Sequence, residues 1–148
     1  IRRCAEANEN GLVNPAPAAD LNPEWVELAT YSTPDEHELA AHYPNKTAEE
    51  TLLANENKIN VTLGSRGVGY ADNGEIHTVS GFKVKPVDTT GAGDTFNGAF
   101  ATAIVNGKSL ADALHYGNAA AAISIQKLRA QSGMPTKDEV DAFLSKYH

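Results

Sequence analysis

The 148 residues carry a formal net charge of −7, with 41% hydrophobic residues and 12 glycines. That composition suits one modest soluble domain and excludes disordered, collagenous and low-complexity chains. Twelve Lys and Arg stand against 19 Asp and Glu, with no basic run, which argues against nucleic acid or an anionic membrane as partner. A lone cysteine, Cys4, leaves no intrachain disulfide and no cysteine zinc framework, so a reducing cytoplasm is the expected location. The longest uncharged stretches, Thr95–Gly107 and Ala113–Gln126, fall short of the roughly 20 residues that cross a bilayer. The chain opens at Ile1 without an initiator Met and without an apolar signal core, and reads as processed, excised or incomplete.

In chain order, Ile1–Asn10 reads as a helix remnant and Gly11–Asn14 as a short strand that Pro15-Ala-Pro17 stops. Tyr31–Thr33 repeats the strand-to-proline pattern before Pro34, and the acidic run from Asp35 to Leu39 opens a helix. Thr47 followed by Glu50 has the spacing of a capping box on a second short helix. Ile59, Val61 and Leu63 alternate as a half-buried strand that ends in the turn Gly64-Ser-Arg-Gly67. Asn73-Gly74 between two β-prone runs predicts a hairpin, because both turn positions need positive φ. Phe82 to Val87 reads as one more strand. Phe96, Ala99, Phe100, Ala103 and Ile104 then mark one face of a helix that starts at Gly91–Asp94. Ser109 caps a further helix through Ala119–Ala122, and Thr136 with Glu139 caps the last, with Val140, Phe143, Leu144 and Tyr147 inward. Strands interleaved with helices predict an α/β layered domain.

The segment Asp88-Thr-Thr-Gly-Ala-Gly-Asp94 lies between a strand end and a helix start. Glycines there let a backbone approach an anion, and the unpaired N–H groups of a helix start point at it. It is not a Walker A loop, since no Gly-Lys-Ser/Thr follows, nor a dinucleotide fingerprint, which needs a third glycine. Asp94 has two readings. It is either a first-turn acid that favours the helix dipole, or a general base that takes the proton of an alcohol attacking phosphorus. His37 and His42 do not suggest zinc, since two residues five apart on a helix point about 140° from each other.

Asp88-Thr-Thr-Gly-Ala-Gly-Asp-Thr-Phe-Asn-Gly-Ala-Phe100 resembles the second signature of the PfkB carbohydrate-kinase family, in the form its ribokinase branch carries. Asn14–Pro17, Thr33–Glu38, Thr62–Gly67 and Ala130–Pro135 agree with it in order. The resemblance implies a three-layer ribokinase-like α/β fold. Residues 1–148 would be the C-terminal portion of such a kinase domain, without the N-terminal strands, the sugar contacts and the β lid. It also implies ATP-dependent phosphorylation of a sugar, with D-ribose giving ribose 5-phosphate. Asp94 would be the base that touches the sugar hydroxyl, and Gly91, Ala92 and Gly93 the anion hole. Thr62, Leu63, Gly64, Ser65, Arg66 and Gly67 would line the nucleotide site with Asp35, Gly93 and Asn118. Glu38 would serve Mg2+, and Asp88 and Thr90 a potassium ion, with backbone carbonyls from Ser124 and Lys127. Without the resemblance, Thr62–Gly67 is a strand and its turn, Asn118 a helix polar residue, and Asp88 an acceptor at a strand end.

Three positions depart from the family pattern. Asp35 stands where ribokinases usually have Asn, Arg129 where the cation loop prefers Gly, and Gly133 where it often has Ser. The charge of Arg129 predicts a weaker potassium dependence. Two readings from different classes follow: a sugar kinase, or a non-catalytic nucleotide-binding fragment without the sugar-binding half. Partners are then the sugar and ATP, with a homodimer or an N-terminal fragment as the expected protein partner.

Overall fold

The computed structural model describes residues 12–13, 29–127 and 134–147. The helix expected at Ile1–Asn10, the Pro15–Pro17 loop, Arg129 and Gly133 lie outside the described residues. The chain forms two compact units. One is built on the residues up to Gly64 with Val68–Thr78, the other on Ser65–Gly67 with Val79 onward.

In the first unit, β1 (Leu12–Val13) and β2 (Tyr31–Ser32) pair in parallel, with Leu12 opposite Tyr31. Parallel bridges continue from Ser32 to Ile59 and from Asp35 to Thr62, carried by Ser32 N–H to Lys58 O, Asn60 N–H to Ser32 O and Thr62 N–H to Pro34 O, at 2.8–2.9 Å. β3 (Val61–Thr62) pairs antiparallel with β4 (Val68–Asp72), which leads into β5 (Glu75–Val79). The hairpin turn is the one the sequence predicts: Asn73 and Gly74 both have positive φ, 52° and 74°. Two short helices, α1 (Glu36–His42) and α2 (Ala48–Ala54), belong to this unit. Its core joins Leu39 of α1 and Leu52 of α2 to Ile59, Val61 and Ala71, with Tyr43 and Leu63 packed against them. The alternation Ile59, Val61, Leu63 therefore does face a core. Thr47 caps α2 by accepting from Glu50 N–H. The reciprocal box is instead made on α1, between Asp35 and Glu38.

In the second unit, α3 (Ala92–Val105) and α4 (Leu110–Ile125) pack against each other, and α5 (Lys137–Lys146) packs on α4. Phe96, Ala99, Phe100 and Ala103 are buried as the 3.6-residue period predicts, and Ala113, Leu114, Ala119, Ala120 and Val140 join them in the core. Small residues let the helices approach closely. A Cβ added at Gly117 would stand 2.7 Å from the Phe96 ring.

Two expectations are corrected. Residues 82–87 form no strand, because Val87 and Asp88 give their N–H groups to the Ile125 carbonyl at the end of α4 and Pro86 has none to give. Phe82 packs instead among the rings of His115, Phe143 and Tyr147. Tyr147 is 38% exposed rather than inward, since α5 ends at Lys146 and the ring lies over Phe143 at its edge.

Candidate functional site

The segment from Asp88 to Asp94 is shaped by its own hydrogen bonds. Asp88 Oδ1 accepts from Thr90 N–H at 2.9 Å, and Ala92 N–H donates to Thr89 O at 3.2 Å. Gly91 then caps α3 in the left-handed region, φ 77°, which glycine enters without a Cβ penalty. Gly91 O accepts from Thr95 N–H. Of the three residues expected to form the anion hole, Ala92 thus commits its N–H within the chain. Among the described residues, the N–H groups of Gly91, Gly93 and Asp94 have no acceptor. Nothing lies within 4 Å of where a Cβ on Gly93 would be, and the Asp94 side chain is exposed in the first turn. The result is an open set of donors at the positive end of a 14-residue helix, with one carboxylate beside it.

The residues expected to hold a monovalent cation are brought together within this unit. Ile125 O accepts from both Val87 and Asp88 N–H, 2.6 and 3.0 Å, which fixes Asp88 and Thr90 beside the C-terminus of α4 where Ser124 and Lys127 lie. Carboxylate and carbonyl oxygens at the negative end of a helix are hard donors suited to a potassium ion. Lys127 can contribute only its carbonyl, since an ammonium has no lone pair to offer a cation; it pairs instead with Glu139 at 3.6 Å.

Of the residues expected to line the nucleotide site, Thr62–Gly64 belong to the first unit and Ser65–Gly67 to the second. Thr62 is tied to Pro34 through its N–H and its hydroxyl, 2.8 and 3.4 Å, and bridges to Asp35, so these two expected nucleotide residues are neighbours. Leu63 is half-buried and Gly64 has positive φ, 61°, with open space where a side chain would be. Gly64, Ser65 and Arg66 form one 3-10 turn. Gly67 is buried, with φ 104°. Asn118, only 8% exposed, donates from Nδ2 to Val79 O and Ser80 O at 3.1 and 3.2 Å.

Asp35 and Glu38 form a full capping box: Glu38 N–H donates to Asp35 Oδ1 at 2.7 Å and Asp35 N–H to Glu38 Oε1 at 3.1 Å. Burial raises the Glu38 carboxyl above its ordinary range, and the adjacent Asp35 charge adds to this. Glu38 Oε2 is buried without a hydrogen-bond partner. A carboxylate oxygen left unsatisfied is a donor that a hydrated Mg2+ would complete, so the pair fits that ion. The described residues hold no group of three or more His, Cys, Asp or Glu arranged for a metal ion, which leaves phosphate oxygens and water to fill the shell.

The sequence model for pfkB family carbohydrate kinases matches residues 1–137. The chain belongs to that family. Its sequence is 46% identical over 134 residues to the ribokinase of Bacillus subtilis, covering 90% of this chain and 46% of that protein. The ribokinase structure from Thermotoga maritima superposes with a TM-score of 0.85 at 40% identity, covering 97% of this chain and 52% of that one. An E. coli protein assigned as ribokinase II, solved with ATP and Mg2+, gives 0.80 at 27%, over 96% and 51% of the two chains. Arabidopsis thaliana ribokinase, solved with ribose and ATP, gives 0.81 at 26%, over 97% and 50%. The fold is therefore ribokinase-like α/β, and the chain spans about half the length of the relatives it matches. Within this pfkB chain, the residue pattern did not single out Val79–Gly81, whose backbone lies against the Ser65–Gly67 turn. Gly81, between two β-prone runs, was the available signal of close backbone approach.

Proposed function

We propose that the chain is the C-terminal portion of an ATP-dependent sugar kinase that converts D-ribose to D-ribose 5-phosphate. The observation that carries the reading is the glycine-capped start of α3, where the open N–H groups of Gly91, Gly93 and Asp94 share one turn with an exposed carboxylate. Asp94 takes the proton of the sugar hydroxyl as that oxygen bonds to the γ-phosphorus. The bond from phosphorus to the ADP oxygen breaks, and the open N–H groups donate to the phosphoryl oxygens as charge develops on them. Asp35, Thr62 to Gly67 and Asn118 serve the nucleotide. Glu38 would hold Mg2+, which supplies charge neutralisation on the phosphates. Asp88 and Thr90, with the carbonyls of Ser124 and Lys127, would hold potassium. The relatives solved with ATP and Mg2+ and with ribose and ATP support this substrate and cofactor set. A cytoplasmic location rests on the lone cysteine.

The coverage favours a second reading of the chain by itself: it binds adenine nucleotide and turns over no sugar until the remaining half is supplied, in cis or as a second chain. Asp94→Asn in the completed enzyme tests the first reading. Loss of a positioned base lowers kcat by about 10²–10⁴-fold, with ATP affinity held or slightly improved. Ribose-dependent ADP release within a few-fold of wild type, with a stability loss of roughly 0.3–1 kcal/mol, makes Asp94 a helix acid instead.

A further inference from the structure

We infer that Asn118 is a positioning residue for the Ser65–Gly67 turn, acting through the backbone of Val79–Gly81; the inference rests on the proposal that this turn serves the nucleotide. The Asn118 amide donates to two successive carbonyls, Val79 O at 3.1 Å and Ser80 O at 3.2 Å. In an extended strand successive carbonyls point to opposite sides. Gathering both on one amide bends the chain out of β5 directly before Gly81. The bent segment then lies against the turn with no side chain between them. A Cβ on Gly81 would stand 2.5 Å from Ser65 O and 3.2 Å from Gly67 N, and one on Gly67 would overlap Val79 O and lie 2.6 Å from Gly81 N. Gly67 also has φ 104°, a conformation that favours glycine. Two backbones in such contact move together, so the buried amide on α4 sets where the turn sits. Both of its N–H donors are spent in doing so, and a nucleobase would not find them free.

Hydrogen exchange on the nucleotide-free chain and ATP–Mg2+ calorimetry, each on wild type, Asn118→Asp, Asn118→Ala and Gly81→Ala, test this. Asn118→Asp keeps the shape but presents oxygen to two carbonyl oxygens. Gly81→Ala leaves Asn118 intact and wedges the two backbones apart. The expected result in all three variants is exchange about tenfold faster at 65–67 and 79–81, preserved protection inside α4, and ATP affinity lowered about tenfold. Affinity lost in the Asn118 variants alone, with wild-type exchange at 65–67, overturns the inference in favour of a direct base contact. Faster exchange with unchanged affinity overturns it too, as does loss of protection throughout α4, which would make Asn118 a residue of the global fold. A wild type that binds no ATP overturns the nucleotide reading instead, and the exchange measurement still decides whether Asn118 holds the turn.

Discussion

Gly93 combines a free N–H with open space, and the two properties make opposite demands on a side chain. No neighbour lies within 4 Å of an added Cβ, and alanine is favoured over glycine in a helix by about 1 kcal/mol. Gly93→Ala is therefore expected to leave the thermal midpoint unchanged or raise it. The same methyl group occupies the approach to the open N–H groups, so calorimetry should show weaker ATP binding, and Gly93→Glu, which adds a charge, should abolish it. A midpoint that falls in step with affinity would mean that Gly93 serves the fold. Asp94 lies one residue further on, where only the carboxylate's proton chemistry separates a base from a helix acid.

At the scale of elements, α3 and α4 pack closely against each other. Gly117 has the Phe96 ring 2.7 Å and the Phe96 carbonyl 3.2 Å from an added Cβ, and the backbone cannot give way as a flexible side-chain end would. Gly117→Ala should cost about 1–3 kcal/mol, read as a lower urea midpoint with an unchanged slope. α5 depends on its start. Thr136 Oγ1 accepts from Glu139 N–H at 3.2 Å and Glu139 reaches back to the Thr136 N–H at 3.5 Å. Thr136→Ala should cost about 0.5–2 kcal/mol in the same measurement. Phe82–Val87 is the element the sequence misassigned: the N–H groups of 87–88 go to the end of α4, so β-prone residues there make no ladder.

For the molecule as a whole, Glu38 ties stability to pH. Burial raises its carboxyl in the folded state; the hydrogen bond from Asp35 N–H opposes this, the Asp35 side chain adds to it, and the His37 charge opposes it least. Between the ordinary glutamate range and that raised value the folded chain binds more protons than the unfolded one, so stability falls as pH rises through this window. Glu38→Gln keeps the Oε1 acceptor for Asp35 N–H and removes the titration. Without Mg2+, thermal midpoints followed from about pH 4 to pH 8 should drop less in Glu38→Gln than in wild type. Parallel curves would remove Glu38 as the cause.

The local devices and the family were legible in the residues alone. Asn73-Gly74 dictates its turn because both φ values must be positive, Thr136 and Ser109 start helices because a side-chain oxygen meets an orphan N–H, and the apolar period of residues 96–103 fixes the buried face of α3. The run from Asp88 to Phe100 likewise carried the resemblance to pfkB kinases. What the sequence left undecided depends on partners distant along the chain. Whether Phe82–Val87 is a strand depends on whether a neighbouring strand or the Ile125 carbonyl takes its N–H groups. Which N–H groups stay open at the start of α3 depends on the Thr89 carbonyl accepting from Ala92. The amide of Asn118 is committed to carbonyls 38 and 39 residues away. A hydrogen-bonding group has the same capacity in every context, and only the tertiary structure chooses the group that satisfies it.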